Sequence, residues 1–228
     1  MTIKIFPGLE QGSAAWLQAR AGIITASTVR DLISPKTLSV ASNETSRARV
    51  RTMVAERITG RPEETSQSYD MLRGSLSEPH AREAYEQHYA PVSEVGFITR
   101  DFGDFTLGYS PDGLVGEGGL VEIKSPRPKT HLRTLTQDQV PTDYLPQLHQ
   151  GLLVSDREWA DYIIYAPGLP LYVARVERSL VWDRAILNAA EQAEHQAQEL
   201  MAAYNAAASR FPATEWLDVF EDDVELQL

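Results

Sequence analysis

The chain has 228 residues, 43% hydrophobic and 23% charged, with fourteen Gly, thirteen Pro and no Cys. That balance is globular and excludes a disordered or collagen-like chain, and the missing Cys excludes disulfides, zinc ribbons, iron–sulfur clusters and thiol nucleophiles. The net charge of −11 argues, as a bulk number, against a nucleic-acid binder.

Taken in chain order, Met1 to Lys4 opens no long apolar segment, so neither a signal peptide nor a membrane span of about 18 residues is expected. Ser13 is placed to cap a short helix running through Arg20 that Gly22 ends. A second helix is expected from Ser27 to Leu32 or Ile33, and Pro35 to Asn43 reads as loop. Residues 44–59 read as a helix with Val50, Met53, Val54 and Ile58 on one face, closed by Gly60 and Pro62. Another helix is expected over Glu78 to Tyr89, with Ser77 as its cap and Pro79 in its first turn. Val92–Thr99, Thr106–Tyr109, Leu120–Lys124, Asp161–Ala166 and Leu171–Val176 favour strand. Tyr144–Val154 and Ser179–Ser209 read as helices. This order suggests α/β or α+β architecture with a mixed central sheet. No linker splits the chain, so one domain over 1–228 is expected, with an acidic tail at about 210–228.

The charge is unevenly spread. Residues 1–61 carry nine Lys/Arg and four Asp/Glu, whereas the last sixteen residues hold six acids and no base. Arg47, Arg49, Arg51 and Arg57 crowd one helix, and Arg127, Lys129 and Arg133 follow Lys124. Both groups are candidate phosphate contacts.

The segment with the most chemistry is Gly108 to Leu114 followed by Gly119 to Pro126. Gly116-Glu117-Gly118-Gly119 supplies turn residues between two strands, and no helix follows to make it a phosphate-cradling loop. A hairpin there brings Asp112 back beside Glu122. Side chains alternate along a strand, so Glu122 and Lys124 share one face while Ile123 points into the core. Two carboxylates suit Mg²⁺, and an ammonium beside them suits orienting a water and stabilising developing charge. The same residues also fit an exposed hairpin with alternating charge.

Asp112 with Glu122-x-Lys124 resembles the PD-(D/E)xK nuclease superfamily. Five ordered blocks between about residues 11 and 178 resemble, more narrowly, the lambda exonuclease family of phage recombination nucleases (YqaJ-type viral recombinases). They are Trp16 to Ser27, Arg73-Gly74 with Glu78, Ser110 to Leu114, Glu122 to Pro126, and Tyr144 to His149.

The resemblance implies a restriction-endonuclease-like α/β core and a cytoplasmic, phage- or prophage-encoded enzyme. Its activity would be digestion of linear double-stranded DNA from the 5′ end to mononucleotides, leaving a 3′ single strand. It also implies Mg²⁺, with Mn²⁺ as substitute and two ions per site, a toroidal homotrimer, and a single-strand annealing protein as partner. By similarity Asp112, Glu122 and the Ile123 carbonyl bind metal, and Glu78 serves a second ion. Lys124 positions the attacking water, and Gln147 belongs to the site. Arg20, Ser27 and Ser110 hold the 5′-phosphate. The Ser27 helix would contribute free N–H groups at its N-terminus to that pocket. A ring would let basic residues line a channel while acids face outward.

The contrasting functions are a restriction-type or RecB-like endonuclease and a non-catalytic DNA-end binder. Trp16, Tyr144 and Tyr162 read as core or interface residues. His149 is kept out of the site.

Overall fold

The computed structural model describes residues 2–63 and 68–217. Most of the acidic tail, from residue 218 on, lies outside the described residues. In chain order the chain forms β1 (Thr2–Phe6), α1 (Ala14–Arg20), β2 (Ile24–Thr25), β3 (Ile33–Ser34), β4 (Ser39–Val40), α2 (Glu44–Thr59) and α3 (Tyr69–His88). Next come β5 (Phe97–Asp101), β6 (Thr106–Tyr109), β7 (Gly113–Val115), β8 (Gly119–Lys124), α4 (Pro128–Gln137) and α5 (Leu145–Ser155). Then β9 (Trp159–Ile164), β10 (Tyr172–Glu177) and α6 (Leu180–Ala208) complete the order.

The expected mixed sheet is present as two four-stranded sheets, ordered β1-β5-β6-β2 and β10-β9-β8-β7. Each contains one parallel pair, β2 with β6 and β8 with β9. Helices cover both. Ala81 and Tyr85 of α3 pack on Val121, Ile123 and Ile163, one face of the second sheet. The opposite face, with Leu120, Ala160, Tyr162 and Ile164, joins the main core with α2, α5 and α6. No helix among the described residues is long and apolar enough to cross a membrane.

Two helix expectations are corrected. The stretch from Ser27 forms only a three-residue 3-10 turn, Val29–Asp31, whose cap is Thr28. Here the Thr28 hydroxyl accepts from the Thr25 N–H and donates to the Thr25 carbonyl, which competes with a helix. The helix expected from Glu78 begins at Tyr69, because the Ser68 side chain accepts from the Met71 N–H. Pro79 is therefore interior, where it removes the helical bond to the Ser75 carbonyl. Glu78 sits mid-helix, and Ser77 caps nothing.

The strand expected over Val92–Thr99 starts only at Phe97. Before it, Gly96 lies against the loop ahead of α1: a Cβ there would stand 1.7 Å from the Leu9 carbonyl oxygen. Backbone cannot move aside as a flexible side chain can. Gly96→Ala is expected to cost about 2 kcal/mol and to lower the melting temperature by about 4–8 °C. A melting curve superimposed on wild type would show that this contact carries no strain.

Candidate nuclease site

The site is built on the hairpin of β7 and β8. Gly116, at φ +52°, turns the chain, and the register pairs Gly113 with Val121, so Asp112 falls opposite Glu122. An Asp112 carboxylate oxygen accepts from the Ile123 N–H at 2.6 Å. Glu122 is 1% exposed and accepts from three side chains. Lys124 Nζ lies 2.7 Å from Oε1, the Gln147 amide of α5 donates to the same oxygen, and the Tyr109 hydroxyl is 3.0 Å from Oε2. The expected alternation holds, with Glu122 and Lys124 on one face and Ile123 in the core.

Burial, and then the neighbouring Glu122 carboxylate, push the Asp112 carboxyl well above the usual carboxylate range. Burial pulls the Lys124 ammonium down, but Glu122 and Asp112 outweigh it and hold the group protonated. Two acids crowded in a low-dielectric cleft call for a compensating cation.

The donors fit a hard divalent ion: two carboxylates and the Ile123 carbonyl. In a strand, the N–H and C=O of one residue leave on the same edge. The Ile123 carbonyl therefore faces the edge where β7 has ended and Asp112 stands. Among the described residues no three Asp, Glu, His or Cys side chains close on one point, so the Ile123 carbonyl and waters would complete such a set.

Glu78 shares two clefts with Asp112, but its Oε1 accepts from Arg82 Nη2 at 2.6 Å. Burial raises its carboxyl, and Arg82 opposes that rise. Arg82 also bonds the Asp112 carbonyl at 3.1 Å and pairs with Glu94 at 2.9 Å. It ties α3 to the hairpin. The sequence reading missed Arg82, although it stands one helical turn after Glu78.

Arg20, Ser27 and Ser110 come together. Arg20 donates to Ser110 Oγ at 2.9 Å and to Ser27 Oγ at 3.0 Å. Trp16, read as core or interface, belongs here instead. Its indole N–H donates to Ser110 Oγ at 2.9 Å, and the Arg20 guanidinium lies 4.0 Å from its ring centroid. The Trp16–Arg20 spacing of four residues on α1 was the available signal. Burial pulls the Arg20 pKa down to about 10, which leaves it cationic at neutral pH. Among the described residues no carboxylate pairs with it. Side chains, with no helix N-terminus, make this pocket. One cleft of about 160 Å³ is lined by Arg20, Ser27 and Ser110 together with Asp112, Glu122, Lys124 and Gln147.

The four arginines of α2 each have a carboxylate partner. Arg47 and Arg51 pair with Glu44, Arg49 with Asp31, and Arg57 with Glu194. Arg127 pairs with Asp70. Tyr162 is core, and Tyr144 packs its ring on it at 5.3 Å. His149 stacks on Trp182 in the core, outside the site, and burial lowers its pKa to about 4.

Asp112→Asn and Glu122→Gln keep side-chain volume and remove charge. Each is expected to weaken Mg²⁺ binding at least about tenfold by calorimetry. Unchanged affinity in both would remove them from the metal site.

The chain is similar to the alkaline exonuclease LHK-Exo from Laribacter hongkongensis, with 28% identity, a TM-score of 0.77, and coverage of 87% of this chain and 99% of that one. The LHK-Exo complex with dAMP matches over the same shares, with a TM-score of 0.75. A phage-related exonuclease from Haemophilus somnus 129PT shares the fold, at 11% identity and a TM-score of 0.58, covering 79% of this chain and 96% of that one. Among the curated proteins, none matches the chain. The pattern of the YqaJ-like viral recombinase domain matches residues 15–158, a span holding the hairpin acids, Lys124, Gln147 and the Arg20 pocket. By that match over more than half its length, the chain belongs to the YqaJ-like viral recombinase family.

Proposed function

We propose that the chain is a metal-dependent DNA exonuclease. It digests the 5′-ended strand of linear duplex DNA to mononucleotides and leaves a 3′ single strand for recombination by annealing. One observation carries this reading: Arg20, with no carboxylate partner among the described residues, lines the same cleft as two crowded carboxylates and a lysine. The likeness to an exonuclease whose structure is known with dAMP supports it.

Asp112, Glu122 and the Ile123 carbonyl would hold Mg²⁺ or Mn²⁺, with Glu78 available to a second ion once it leaves Arg82. The bound ion would supply positive charge to the scissile phosphate and acidify a water. Arg20, Ser27 and Ser110 would grip the terminal 5′-phosphate through charge-assisted and hydroxyl hydrogen bonds. Lys124, protonated, would orient the incoming water and meet charge that grows on the reacting phosphate. Gln147 holds the Glu122 carboxylate in place, and so does Tyr109.

The direct test is incubation with Mg²⁺ of a linear duplex and of the same sequence as a covalently closed circle. Loss of the linear form alone is expected. Nicking of the circle would make the enzyme an endonuclease, and two intact substrates would make it a binder.

A homotrimeric ring around the DNA, working with an annealing protein, is part of the proposal. Lys129 and Arg133 would contribute to a basic channel. Light scattering at micromolar concentration is expected to give three times the 25.4 kDa chain mass. A monomer mass would refute the ring.

A further inference from the structure

The sheet face that carries the reaction centre continues beyond it. In the parallel register of β8 and β9, Glu122 stands beside Tyr162 and Lys124 beside Ile164. Residues in register project from the same face. Tyr162 and Ile164 line a separate cavity of about 120 Å³, walled by Arg30 from the turn after β2 and Arg133 from α4. Thr130 and Tyr144 line both this cavity and the wide groove that contains Lys124 and Asp112. The cavity is therefore next to the reaction centre and distinct from the Arg20 pocket.

Its chemistry points to an anion. Arg30 and Arg133 are exposed, and among the described residues neither side chain makes an ion pair or hydrogen bond, unlike the four arginines of α2. One carboxylate, Asp143, also lines the cavity. The Tyr162 side chain is 0% exposed, yet its hydroxyl has no hydrogen-bond partner. Leaving such a group unpaired costs about 1–3 kcal/mol, which an accepting ligand would recover. Two planar cationic donors and a buried hydroxyl donor are a fitting set for a phosphate group.

We propose that this cavity is a second phosphate subsite, filled by a backbone phosphodiester of the DNA or by the phosphate of a released mononucleotide. It rests on the reading that this chain acts on DNA. The cavity would hold a phosphate at a fixed offset from the one being cleaved, and so set the register of the strand or delay product exit.

The test uses the full chain with EDTA, so that binding is read without cleavage. Wild type and the double variant Arg30→Gln, Arg133→Gln are titrated with a fluorescent 5′-phosphorylated duplex over a range of salt, and separately with dAMP by calorimetry. If the source is the backbone, the slope of log K against log salt becomes shallower by about 1–2 in the double variant, and dAMP stoichiometry is unchanged. If the source is the product, the slope holds and one dAMP binding event is lost. Unchanged slope together with unchanged dAMP binding would overturn the subsite. Both arginines are exposed and unpaired, so the variant is expected to fold, which circular dichroism checks. Digestion of linear DNA by the same wild-type preparation is scored independently. Its failure would reject the exonuclease reading, whereas the binding arms alone decide the subsite.

Discussion

Replacing Lys124 by Ala is expected to slow DNA hydrolysis about 10²- to 10³-fold while changing duplex affinity little. Among the described residues, Lys124 is the one side chain bonded to Glu122 that also lines both the cleft beside Arg20 and the wide groove next to it. Glu122 and Asp112 raise its pKa against the pull of burial, which suits the proposed role of a cation. A cation that meets charge only as it develops lowers the barrier without tightening ground-state binding. The variant leaves Glu122 with two donors, Gln147 and Tyr109, which keep the buried carboxylate bonded. Single-turnover rates beside equilibrium binding separate the two effects. Wild-type turnover in the variant would end this role for Lys124, and equal losses in rate and binding would make it a binding residue.

The second large effect concerns the DNA end. Duplexes with a 5′-phosphate are expected to be digested at least about tenfold faster than matched 5′-hydroxyl duplexes, and Arg20→Ala is expected to erase most of that difference. A hydrogen bond to a charged group contributes about 1.5–3 kcal/mol, or roughly 10- to 100-fold. Arg20 has the position for it. Its guanidinium is fixed by Ser110, Ser27 and the Trp16 ring, keeps its charge at neutral pH, and has no carboxylate partner among the described residues. A part-buried cation without an anion is destabilising unless a ligand supplies one. Equal wild-type rates on the two ends, or full discrimination by Arg20→Ala, would place the end-recognition elsewhere.

How far the sequence could be read depended on the range of the interactions. The hairpin that unites Asp112, Glu122 and Lys124 was legible because Gly116 to Gly119 sets its turn, and the strand period then fixes which side chains share a face. Helix α2 was legible from its apolar face and its Gly60 stop, though its cap is a reciprocal pair between Asn43 and Ser46. Helix α4 was not singled out in the sequence, and its two buried residues are the polar His131 and Thr134. Strands β2, β3 and β4 have two residues each, too few for any alternation. The start of α3 was misplaced because Pro79 reads as a first-turn residue, while tertiary packing of Ala81 and Tyr85 carries the helix through it. Trp16 reaches Ser110 across 94 residues of chain, and no local pattern reports such a contact. The partners of the α2 arginines are hidden for a related reason. They are Glu44, Asp31 and Glu194, the last of which is 137 residues from Arg57.

In the proposed enzyme the pocket for the end phosphate and the reaction centre share one cleft, so that the bond cut is the first one in from the 5′ end. Mass analysis of the earliest products from a linear, 5′-phosphorylated duplex with Mg²⁺, sampled before about a tenth of the DNA is consumed, tests this. The expected products are 5′-mononucleotides from the first time point, with the opposite strand recovered at full length. Early products that are oligonucleotides, or mononucleotides released from the 3′ ends, would contradict it.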